Sequence, residues 1–98
     1  MEANQHQWTE IEDFIKKTMS SINNHIDPDT VDSVNHYLKH AEYELAFEGL
    51  FIEIMKIKIP VEIDLTKAKK TAELLKLNEE SVLEPNFWSK FDNYIKGR

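Results

Sequence analysis

The chain has no cysteine, which excludes disulfides, zinc–thiolate sites and thiol catalysis together and suits a reducing cytosol. Glycine occurs only twice and proline three times, too seldom for a linker, and no phosphate-cradling glycine loop or β-hairpin signal is present. No apolar run approaches the ~20 residues that cross a membrane. The longest streak, Gly49 to Ile54, is interrupted by Glu53, and Met1 to Glu10 lacks the basic start and apolar stretch of a signal peptide. A cytoplasmic protein, neither secreted nor membrane-bound, is expected. Positive charge is scarce at the front: residues 1–48 carry ten Asp/Glu against three Lys, and residues 49–98 carry eight against nine Lys/Arg. The net charge of −6 therefore divides into −7 and +1. That sign argues against nucleic acid as a partner, and its concentration in one half points to a surface that meets something basic.

What is present is helical material for one domain. Ninety-eight residues, 41% of them apolar and 31% charged, supply a single core. Trp8, Ile11, Ile15, Met19 and Ile22 recur at steps of three and four, predicting a first helix over Gln5 to Asn23. Asp27-Pro28 opens the second, a carboxylate to cap free amides and a proline where a missing N–H costs nothing. Val31, Val34, Leu38 and Ala41 point inward from it. The third helix, 42–57, is apolar over a broad face (Tyr43, Ala46, Phe47, Leu50, Ile54, Ile57), with Leu45 and Ile52 nearly opposite, the pattern of a buried central helix. Gly49, costly inside a helix, implies close approach of a neighbouring backbone. The stretch 59–63 reads as extended, and Asp64 caps a fourth helix with Leu65, Ala68, Ala72 and Leu75 inside and Lys67, Lys69, Lys70 and Lys76 in solvent. Residues 78–83 read as one short turn. Pro85 starts a fifth helix with an aromatic face of Phe87, Trp88, Phe91, Tyr94 and Ile95. The expected fold is all-α: a single domain, 1–98, of about five helices around helix 42–57.

Motifs for chemistry are sparse. Asp32, His36 and His40 share one helical side at metal-ligand spacing, but that side is opposite the apolar stripe and reads as solvated. Asp32-Ser33-Val34 resembles the Asp-Ser-Leu of acyl carrier proteins, whose serine carries phosphopantetheine. That serine stands at a helix start, whereas Pro28 puts Ser33 in the second turn. The abundant carboxylates frame no pocket of contrasting environments, and neither a Gly-x-Ser-x-Gly turn nor a His-Glu-x-x-His pair occurs. We expect no catalysis, no metal and no cofactor.

The segment 36–55, His-Tyr-Leu-Lys-His-Ala-Glu-Tyr-Glu-Leu-Ala-Phe-Glu-Gly-Leu-Phe-Ile-Glu-Ile-Met, resembles the signature region of small immunity proteins of the MafI-like family and of contact-dependent growth inhibition systems. An acidic-aromatic pair followed by Leu-Ala-Phe/Leu-Glu-x-Leu is matched by Glu42, Tyr43, Leu45, Ala46, Glu48 and Leu50. The resemblance covers about a third of the chain, with 64–75 a looser fit. It implies a bacterial cytoplasmic inhibitor, monomeric in a 1:1 complex with the C-terminal domain of a cognate toxin. The expected toxin is a basic nuclease, a ribonuclease in preference to a deoxyribonuclease. An acidic protein can occupy an electropositive active site as a phosphate mimic. The expected toxin-binding residues are Asp29 and Asp32 on the second helix, and Glu44, Glu48, Phe51 and Met55 as a mixed acidic and apolar strip on the third. The alternative is a non-catalytic helical adaptor docking through Phe87, Trp88, Phe91 and Tyr94.

Overall fold

The first apolar stripe becomes α1 (Gln5–Ile22), which buries Ile11, Phe14, Ile15, Thr18, Met19 and Ile22. The computed structural model describes residues 5–58 and 61–97. Four further helices follow: α2 (Pro28–Lys39), α3 (Tyr43–Ile54), α4 (Leu65–Leu74) and α5 (Phe87–Lys96), with no strand among the described residues. The protein is an all-α bundle. Buried side chains from every helix join one core, and α3 lies at its centre, packed against α1, α2 and α5.

Local chemistry explains the helix starts. The Asp27 side chain accepts a hydrogen bond from the Asp29 N–H at 2.8 Å, with Pro28 in the first helical turn. Asp64 likewise accepts from the Lys67 N–H at 3.0 Å to begin α4. Pro85 falls just ahead of α5 instead of inside it. The Phe87 N–H donates to the Glu84 carbonyl at 3.0 Å, so Pro85 occupies the second position of a turn, where its fixed φ is equally at home.

Two helix ends depart from expectation in the same way. Ala41, placed inward by its spacing, is exposed and left-handed, with φ 57°. It terminates α2: the Ala41 N–H donates to the Leu38 carbonyl (3.1 Å) and the Glu42 N–H to the Tyr37 carbonyl (2.8 Å), the paired bonds of a Schellman ending. Lys76, φ 61°, does the same after α4, with Lys76 N–H to Glu73 and Leu77 N–H to Ala72, both 3.0 Å. Left-handed backbone favours glycine. Neither of the chain's two glycines is used at these positions. Leu77, just past the second turn, plugs back into the core at 1% exposure.

All five phenylalanines are buried. Phe47 stacks on Phe51 with centroids 4.6 Å apart, and Phe91 meets both edge-on at 5.6 and 5.3 Å, tying α5 to α3. Edge-on and stacked pairs add roughly 0.5–1.5 kcal/mol each beyond the area they bury. The aromatic face of α5 is thus core: Phe87 and Phe91 are 0% exposed, and Trp88, Tyr94 and Ile95 are partly so. Phe87 and Phe91 are therefore not available to the docking face expected for an adaptor, Phe91 being packed against Phe47 and Phe51 of α3 and Phe87 against Phe91. The third helix is also shorter than expected, since 55–56 form a turn after Ile54. In the expected extended stretch, Ile59 and Pro60 lie outside the described residues, and 61–63 have no regular secondary structure. The predicted turn over 78–83 is a series of turns and bends.

Candidate functional site

Glu48 organises the surface from below. It stands in the middle of α3, 0% exposed, between the aromatic core and the connection from α4 to α5. Its Oε1 accepts from the Val82 N–H (2.9 Å) and its Oε2 from the Leu83 (2.7 Å) and Glu84 (2.6 Å) N–H groups. Three oriented amides thereby replace the water that a buried carboxylate loses, and no cation is needed. The consequence is mechanical: a segment 34–36 residues later in the chain is fastened to the central helix. Held there, Val82 and Leu83 stay 49% and 44% exposed.

Two adjoining hollows open around this segment. The first, about 290 Å³, lies between α2 and α3, lined by Val34, Tyr37, Gly49, Ile52 and Leu83, with Asp29, Ser33 and Glu53 among its polar groups. Beyond Ile52 a second, about 660 Å³, is bounded by Met55 and Lys56 in the turn after α3, by Glu84, and by Lys90 and Tyr94 of α5. Leu83 and Glu84, both fastened by Glu48, contribute one wall residue to each. Glu53 pairs with Lys56 at 2.9 Å and Glu84 with Lys90. Asp29 carries no ion pair among the described residues, so the first hollow presents free negative charge over an apolar floor.

The six expected contact residues separate into three groups. Asp29 lines the first hollow and Met55 the second. Asp32 is exposed on α2 outside the hollow's lining, and Glu44 is half-buried on α3. Glu48 and Phe51 are corrections: both are 0% exposed and cannot touch a partner in this conformation. Glu48 is covered by the 82–84 segment, and Phe51 packs between Phe47 and Phe91. The half-exposed strip of α3 is instead Leu45, Gly49, Ile52 and Glu53. Its signal was the pair Leu45 and Ile52, seven apart and opposite the main apolar face, with glycine between them. Gly49 does not face a close backbone either, since a Cβ added there would meet the Leu83 Cδ1 at 3.6 Å, an ordinary side-chain contact.

The remaining candidates lie apart. His36 and His40 are exposed, their rings 4.6 Å apart and tilted by 56°, and no group of three His, Cys, Asp or Glu gathers to hold a metal among the described residues. Ser33 is exposed at the edge of the first hollow. Lys67, Lys70 and Lys76 are exposed on the other side of the sequence's charge divide, and Lys69 and Lys70 line a separate hollow with Glu73 and Ile95. Among the described residues no helix is long and apolar enough to cross a membrane. At the start of α3, Tyr43 stacks on Trp8 at 5.0 Å and its hydroxyl donates to Glu12 at 3.4 Å. Burial, then the Glu12 carboxylate, pushes the phenol above its ordinary range. Glu12 also pairs with Lys16 at 2.6 Å and raises that ammonium, chiefly through the hydrogen bond. Lys96 beside Asp92 holds the latter's carboxyl low, again mainly by hydrogen bonding.

Chemically, the groove between α2 and α3 offers carboxylates, the hydroxyl-bearing Thr30, Ser33 and Tyr37, and apolar carbon. Such a set is complementary to cationic, partly apolar groups. Comparison with protein-family models, with curated proteins and with solved structures gives no match for this chain.

Proposed function

We propose that this protein is a non-catalytic inhibitor that binds a basic protein partner. The partner in this reading is the nuclease domain of a bacterial toxin, a ribonuclease in preference to a deoxyribonuclease, met in the cytoplasm as a 1:1 complex. The observation that carries it is the combination of an acidic half of net charge −7 with an apolar hollow edged by Asp29 and Glu53 on the helices of that half and the next. An apolar centre supplies area, while surrounding carboxylates steer a cationic surface into register and speed encounter. The resemblance of 36–55 to immunity proteins supports the same reading.

The structure gives the resembling residues mostly architectural work. Glu42 completes the turn ending α2, Tyr43 stacks on Trp8, Ala46 and Leu50 fill the core, and Glu48 fastens the 82–84 segment. The test is to isolate the chain with its native partner and assay that partner's nuclease activity before and after separation. Activity should appear only on separation, and association of the purified pair should slow steeply as salt rises. A partner equally active in the complex, or an association rate indifferent to salt, overturns the reading.

A further inference from the structure

We infer that the groove between α2 and α3 is the seat for a cationic amphipathic segment of the partner protein, with a lysine or arginine stem on its floor. This rests on the reading above only in taking the partner to be basic. Three observations converge. The apolar lining is Val34, Tyr37 and Ile52 with Leu83 as a wall, and the hollow, about 290 Å³, has the volume of one or two large side chains. Its edge is acidic: Asp29 is unpaired among the described residues, and Glu53 is held only by the exposed Lys56, an ion pair of little strength that an incoming cation can replace. Long basic side chains suit this geometry, since their methylenes cover apolar surface while the charge reaches the rim.

The third observation concerns Glu48, which positions the groove without touching its occupant. Its three hydrogen bonds hold Leu83 as one wall and leave Val82 beside it 49% exposed. Two adjacent large aliphatic side chains are kept in solvent by a buried carboxylate. A segment ordered in advance loses less freedom when a partner covers it. A second copy of the chain is a poor occupant, because two molecules of charge −6 repel.

The test uses the full chain, a capped Leu/Lys amphipathic helical peptide as the probe, and amide chemical shifts as the readout. The peptide should shift Ser33, Gly49 and Leu83 and leave the lysine-bearing face of α4 unmoved. Ser33→Lys, at an exposed helical position, puts a cation on the rim and should weaken binding about tenfold, as like charges meet across the contact. Asp13→Asn makes the same +1 change at an exposed site on α1 and should alter affinity by no more than about twofold. Equal weakening by both variants, shifts centred elsewhere, no binding, or an equal response to magnesium, which carries charge without apolar surface, each overturns the groove. A nuclease still inhibited by Ser33→Lys as well as by wild type sinks the groove and spares the inhibitor. Peptide binding lost in Ser33→Lys, with no nuclease inhibited by wild type, does the reverse.

Discussion

Glu48→Gln isolates the carboxylate that fastens the α4–α5 connection, because it preserves side-chain shape and changes only charge and one acceptor. In the native protein the two oxygens accept three backbone bonds, one on Oε1 and two on Oε2. A glutamine oxygen can keep the pair from Leu83 and Glu84, but as neutral bonds, and the amide nitrogen then faces the Val82 N–H, donor against donor. Hydrogen bonds to a charged group contribute about 1.5–3 kcal/mol and neutral ones about 0.5–1.5. The three native bonds thus fall from about 6 to about 2 kcal/mol, and part of the difference is returned because a neutral amide is cheaper to bury than a carboxylate. A net loss of about 2 kcal/mol follows, equal to roughly 10–15 °C in melting temperature for a domain of this size. Hydrogen exchange supplies the local readout: the amides of Val82, Leu83 and Glu84 should exchange faster, beyond the general loss, while those of α1 follow global stability. A variant melting within about 2 °C of wild type, with those three amides unchanged, would show that the fastening is not what holds the segment.

Two other predictions test separate features. Ala41→Gly and Lys76→Gly relieve left-handed backbone at exposed turns (φ 57° and 61°) and should each stabilise the protein by about 1 kcal/mol in urea unfolding; a loss of stability in both would mean that these turns are not strained. For Tyr43 the sign is set by its raised phenol: the folded state holds the proton more tightly than the unfolded one, so the contribution is whole below the unfolded value and is lost as pH rises through the folded one. Stability measured from pH 8 to 11 should therefore fall less steeply at the alkaline end in Tyr43→Phe, and parallel curves for the two proteins would contradict the assignment.

How much of this was legible in the sequence depended on the range of the interaction involved. The extent of α1, the Asp27-Pro28 start and the Asp64 cap are written in neighbouring residues, and the structure realises them. Ala41 and Lys76 were not legible as helix ends, since glycine is the usual signal and these turns go without it. Glu48 and Phe51 were misplaced for a different reason. Helical spacing puts residues on a shared face but does not say which distant segment covers that face. On a helix apolar nearly all round, a carboxylate beside Phe47 has two possible fates, an exposed edge or a buried anchor. The segment that decides between them lies 34–36 residues away.

This division also separates what the resemblance can carry from what it cannot. Within 36–55, Ala46, Glu48 and Leu50 are buried and Glu42 and Tyr43 build the entry to α3, so a likeness there speaks first for the way the helices are assembled. The groove takes Tyr37, Gly49, Ile52 and Glu53 from that segment, but Asp29, Thr30, Ser33, Val34 and Leu83 come from outside it. A buried carboxylate and its three amides can stay the same while residues on the rim change, because the fastening uses backbone N–H groups that every residue except proline provides. In the proposed groove, Asp29, Ser33 and Leu83 can then change without disturbing the core. For that reason a charge placed at Ser33 should alter binding while leaving stability nearly untouched, and Glu48→Gln should lower stability and loosen the groove together.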